Sequence, residues 1–228
     1  MLESLRTHDP NTIELPCGKG SVLLPPPLAG RIFCQWDGEL IHRLDAASLG
    51  APAGGDYINF GGNSLWPAPE GGEYAFNYAP GSDAWLVQDG IATAPVAVSH
   101  TGEGAILQKS ITLHNRKGKS LGLTFYRAVS AEVALTAGYA LEGMRYHTED
   151  RFDTADDQDA TDILLAPWSL EQFPGAEGII TFGALGDPAQ TLNLDFYGDP
   201  GERIVRADGQ FTFRLGGMDR HQIGIPVA

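Results

Sequence analysis

Apolar and polar residues alternate with a period of two along much of this chain. Between positions 105 and 113, Ala105, Leu107, Ile111 and Leu113 share one face while Gln108, Ser110 and Thr112 share the other, as in a half-buried strand. Lys109 is the one interruption of the apolar face. Leu121, Leu123, Phe125 and Val129 repeat the pattern, with Arg127 as its single charged interruption. The polar run 114–119 between these segments predicts a hairpin. Further strands are expected at 31–36, 84–88, 178–182, 191–196 and 210–215. Segment 129–141 is rich in alanine, yet Val133, Leu135, Ala137, Tyr139 and Leu141 alternate strictly, so it reads as a strand; Gly138 weakens either reading. No stretch combines a cap, a sustained 3.6-residue period and ten or more residues, so helix should be short and incidental. The expected fold class is all-β, in one domain spanning 1–228.

Composition supports that picture. Gly accounts for 29 of 228 residues and 15 prolines are scattered without a repeat, which suits many short strands joined by tight turns. With 43% hydrophobic residues, the chain has enough apolar surface for a core and is not a disordered polymer. The formal charge of −14 repels phosphate backbones and anionic lipid surfaces, so neither nucleic acid nor membrane is an expected partner. Cys17 and Cys34 are too few for a disulfide framework and lack metal-ligand spacing. The N-terminus carries acidic residues where a signal peptide needs a basic start and an apolar run, and no later run approaches a membrane span, so the expected location is cytoplasmic.

The familiar catalytic signatures are missing: G-x-S-x-G, the phosphate loop, H-E-x-x-H and Cys-x-x-Cys do not occur. Segment 149–162 holds seven carboxylates and almost no apolar residue, which reads as a solvated loop; it lacks the Gly and closing Glu of a calcium-binding loop. A cupin-like metal barrel would need a second histidine beside His147. No metal or cofactor is therefore implied. What remains is aromatic residues set among Gly, Pro and carboxylates. Sugars present an apolar face of C–H groups and a rim of hydroxyls, so their sites pair an aromatic platform with Asp, Glu, Asn or Arg side chains. The stretch 61–72, GGNSLWPAPEGG, offers that inventory on what reads as a preorganised loop, with Asn63, Trp66 and Glu70 as its functional candidates. A second cluster follows Ala166-Pro167: Trp168, Glu171 and Gln172. Trp66 and Trp168 read equally well as core residues.

Three segments, GGNSLWPAPEGGEY, DAWLVQDG and LLAPWSLEQFPG, together resemble an uncharacterised bacterial branch of the galactose mutarotase-like (aldose epimerase-like) superfamily, marked by a GGxxLWPAPE motif. The resemblance extends from Gly30-Arg31 to the chain's end, where 214–226 looks like the family's strand with a basic residue followed by Ile-Gly. It implies a β-supersandwich, two large and mostly antiparallel sheets with a carbohydrate cleft on one concave face. Characterised mutarotases of that superfamily use a His as general acid on the ring oxygen and a Glu as general base on the anomeric hydroxyl. This sequence shows no clear Asn-His-x-x-Phe-Asn-Leu segment for the acid, and relatives continue through further strands that carry the base. If the chain is catalytic, Glu70 or Glu171 is the expected base and His147 the expected acid. Arg145, His147 and Glu149 would share one strand face, placing Arg145 among the sugar-binding candidates. Two alternatives stay open: a non-catalytic carbohydrate-binding domain, and a structural or interaction domain.

Overall fold

The computed structural model describes residues 2–50, 57–135, 142–176, 178–187, 191–194, 199–216 and 222–225. The fold is all-β, and among the described residues its strands gather into four antiparallel sheets. Two compact units, Met1–Phe173 and Pro174–Ala228, divide the chain. In the first, after the short helix α1 (Leu2–His8), strands β1 (Ile13–Cys17), β2 (Gly20–Leu24), β3 (Phe33–Trp36) and β4 (Glu39–Leu40) form a meander in that order. Strand β5 (Gly62–Ala68) follows, then the single-turn helix α2 (Asp89–Ala92) and the strands β6 (Ala97–His100), β7 (Gly104–His114), β8 (Ser120–Leu135) and β9 (Glu142–Thr154), paired in sequence order. Strand β10 (Ala166–Gln172) returns to pair with β5. Among the described residues no helix is long and apolar enough to cross a membrane.

The hairpin predicted from alternation is present, with Leu113 opposite Leu121 and Ala105 opposite Val129. Its inward side chains, Leu107, Leu113, Leu121, Phe125 and Val129, pack with Val22 and Leu24 of β2, Ile32, and Leu65 and Trp66 of β5 in one core. The meander and the β5–β10 pair thus share a core with the long sheet, a sandwich arrangement that buries the apolar side of each. Segment 129–135 is strand, as its alternation predicts, while 136–141 lies outside the described residues.

Three expectations for the first unit are corrected. Residues 84–88 form no strand beyond a single bridge of Trp85 to Tyr78, because Gln88 turns its side-chain amide to the carbonyls of Phe76 and His114 and its own carbonyl opens helix α2. The carboxylate-rich run 149–162 is strand through Thr154: charges alternate outward with Asp150 and Phe152 turned in, so acidity there marks an exposed sheet face. The GGNSLWPAPE stretch is chiefly strand β5, buried from Gly62 to Pro67; burial on both faces removes the alternation that would have revealed it.

In the second unit, β11 (Ile180–Ala184), β12 (Ile204–Ala207) and β13 (Gln210–Arg214) form a three-stranded sheet with β13 central. Phe211 and Phe213 anchor its small core with Leu185. The expected strand at 191–196 is reduced to one bridge, Asn193 to Gly224, with 195–196 outside the described residues.

Candidate functional site

The two sequence clusters meet. Strands β5 and β10 pair so that Asn63 stands opposite Glu171, Gly62 opposite Gln172 and Trp66 opposite Trp168. The glycine pair explains how β5 enters this position. Gly61 has φ +88° and a Cβ there would stand 2.0 Å from the Arg43 carbonyl oxygen; Gly62 has φ +70° and its Cβ would stand 2.8 Å from that of Ile32. Only glycine lets the backbone approach both neighbours so closely. The Ile32 and Asn63 backbones then exchange hydrogen bonds of 2.9 and 2.8 Å, which fixes Asn63 on the inner side of the long sheet.

Asn63 is 3% exposed and every polar atom of its side chain is used. Its Oδ1 accepts from Arg127 Nη2 at 2.5 Å and from Ser169 Oγ at 3.2 Å. Its Nδ2 donates to Tyr146 Oη at 3.2 Å and to Glu171 Oε1 at 3.3 Å. Arg127 is fully buried, donates to both carboxylate oxygens of Asp150 at 2.7 and 3.1 Å, and also reaches the Gly30 and Asn63 carbonyls. Such a charge survives burial because its donors find acceptors. The arginine holds the asparagine, and the asparagine holds the glutamate.

Glu171 is the centre of the cluster. Its Oε1 accepts from Asn63 and from the Tyr146 hydroxyl, and His42 Nε2 stands 3.8 Å away. His42 Nδ1 accepts the Cys34 backbone N–H at 2.9 Å, which fixes the ring proton on Nε2, toward the glutamate. That nitrogen is buried and has no hydrogen-bond partner among the described residues. The adjacent His42, then the Asn63 amide and the Arg127 charge, together outweigh partial burial and hold the Glu171 carboxyl below the usual glutamate range. The group is therefore a carboxylate at neutral pH.

These side chains open on a cavity of about 390 Å³. Glu171, His42 and Tyr146 line it together with the rings of Trp36 and Phe173 and the side chains of Glu142 and Met144. Phe173 stacks on His42 with ring centres 5.2 Å apart, and Tyr146 meets the same imidazole edge-on at 6.3 Å. Cys34 also borders it, but burial pushes its thiol up to about 12, so it stays protonated and unreactive.

The other expected site residues lie elsewhere. Glu70 is exposed beyond the end of β5; Ala68, where the strand ends, is already five positions past the Asn63–Glu171 pair, roughly 17 Å by strand rise. Trp66 is 7% exposed, belongs to the core and packs edge-on against Tyr57 at 5.6 Å. Trp168, half-buried, packs on the same core, and strand alternation turns both tryptophans to the face opposite Asn63 and Glu171. Gln172 contributes its backbone carbonyl to the Arg43 N–H at 2.9 Å. Arg145 and His147 do share a face with Glu149, but it is the exposed outer one, where both engage Glu132 at 3.2 Å. The residues between them and beside them in phase, Tyr146 and Asp150, point inward to the cluster.

Sequence reasoning missed His42, Tyr146 and Arg127. Arg127 left a signal, a cation in phase with an apolar strand face, and Tyr146 sits in the inward phase of the strand whose outward phase drew attention. His42, in a short segment after β4, left none.

The sequence matches a family of unknown function, DUF6786, over residues 2–228. No curated protein and no solved structure matches it.

Proposed function

We propose that this chain, which belongs to the DUF6786 family, binds a sugar or sugar derivative in the cavity beside Glu171 and is related to the aldose 1-epimerases. The observation that carries this reading is the convergence on one cavity of a held carboxylate, a tyrosine hydroxyl and two further aromatic rings. A volume of about 390 Å³ lies at the small end of ligand pockets and suits a single ring. Trp36 and Phe173 supply apolar faces for sugar C–H groups, while Glu171 and the Tyr146 oxygen accept from hydroxyls. His42 offers the ligand no exposed Nε2 and acts through Glu171, which stands 3.8 Å from that nitrogen.

Mutarotation at the same place is a second reading, favoured by the Tyr146–Glu171 hydrogen bond beside a histidine N–H, a path along which a proton can move between ring oxygen and anomeric hydroxyl. The lowered pKa of Glu171 keeps it ionised as a hydrogen-bond acceptor but makes it a weak base, so binding is the stronger of the two claims. Freshly dissolved α-anomers of several hexoses, followed by polarimetry with the protein present, separate the readings. Saturable quenching of tryptophan fluorescence with no acceleration over buffer supports binding alone; acceleration that is lost in Glu171→Gln supports catalysis. A glycan panel that leaves the fluorescence unchanged throughout overturns both.

A further inference from the structure

The cavity's charges bear on which sugars it can take, a question that rests on the sugar-binding reading above. Its charged lining consists of Glu142 and Glu171, and among the described residues no lysine or arginine lines it. The nearby cations are already engaged. Lys19 pairs with Glu142 at 2.9 Å, and Arg127, fully buried, is spent on Asp150, Asn63 and the Gly30 carbonyl. A phosphate or carboxylate entering here would meet Glu171, ionised at neutral pH, with no lysine or arginine among the described lining residues to pair with. Anion sites are built the other way, with arginine forks or converging backbone N–H groups. The remaining walls, Trp36, Tyr146 and Phe173, offer ring faces, which attract an ammonium group and repel an anion. Neighbouring Cys34 stays a neutral thiol and adds no charge. The net charge of −14 adds to it at longer range.

We infer that the cavity selects by charge: it accepts uncharged and amine-bearing sugars and rejects sugar phosphates and uronic acids. Like charges at contact distances in a half-exposed site correspond to roughly a tenfold loss of affinity or more. Glu142, whose side chain is 58% exposed, is the carboxylate that can be neutralised without touching the Glu171 cluster.

The test is calorimetric titration of the full chain with glucose, glucosamine below its amine pKa, glucose 6-phosphate and glucuronate, and with the corresponding galactose series. The expected result is that the amine form binds at least as tightly as its parent while both anionic forms bind at least about tenfold more weakly. Glu142→Gln, which removes one lining carboxylate and frees Lys19 from its partner, should narrow that gap about threefold. An anionic form that binds as tightly as its parent, or a gap that Glu142→Gln does not move, overturns the charge selection while leaving sugar binding intact. Failure of every sugar in both series overturns the sugar reading itself, and this inference with it.

Discussion

The two ends of the β5–β10 strand pair use the same ladder for opposite purposes. At one end Trp66 faces Trp168 and both are absorbed by the core; three positions along, Asn63 faces Glu171 and both are tied into a polar cluster that opens on a cavity. Strand alternation alone separates them, because an odd step turns a side chain to the other face. Aromatic bulk in a motif therefore does not by itself mark an open face. The residues that matter are those whose polar atoms must be satisfied on the side where apolar packing stops.

The sharpest way to break the comparison is to damage the packing end. Trp66→Ala should cost about 4 kcal/mol in denaturant unfolding, the usual cost of emptying an aromatic core site, while leaving the acid titration of Glu171 in place in the fraction that stays folded. Arg127→Ala should cost about 3 kcal/mol by stranding Asp150, whose side chain is 10% exposed. Unlike the tryptophan change, it should also raise the midpoint at which Glu171 protonates, readable by carboxyl NMR, because Arg127 contributes to holding that group ionised. A loss of stability with no shift in that midpoint would separate Arg127 from the site.

Lys109 tests the core of the same sheet by pH. Its ammonium is buried against the Ala29 and Ala94 carbonyls and the Phe125 ring, and desolvation, with Arg31 nearby, lowers it to about 7. The unfolded chain then binds more protons than the folded one above that value, so stability should rise with pH from about 7 toward the ordinary lysine value, by up to about 1.4 kcal/mol per unit. Lys109→Met should flatten that rise. At the small end of the scale, Glu70→Gln and His147→Gln alter exposed side chains away from the cluster and should change both stability and sugar response by less than about 0.5 kcal/mol.

What the sequence made legible follows the same division. The β7–β8 hairpin could be read to the residue because one face is apolar and the other polar. Strand β5 could not, since burial on both sides removes alternation and two prolines read as a loop. Strand β9 was half hidden by its own acidity: outward Glu149, Arg151 and Asp153 looked like solvent, and inward Tyr146 and Asp150 went unremarked. Asn63 and Glu171 were found because their segments stand out in composition, while their pairing with each other, and with His42, depends on contacts across 108 and 129 sequence positions that no local pattern encodes.

The polar end of the pair, with Glu171 at its centre, is where we propose that a sugar binds. The most direct measurement is fluorescence titration of the parent chain and Glu171→Gln with the same neutral sugar, alongside their unfolding midpoints. A sugar site at Glu171 requires saturable quenching in the parent, an affinity at least about tenfold lower in Glu171→Gln, and stabilities within about 1 kcal/mol of each other, since a half-exposed carboxylate contributes little to folding. Equal affinities in the two proteins would contradict it.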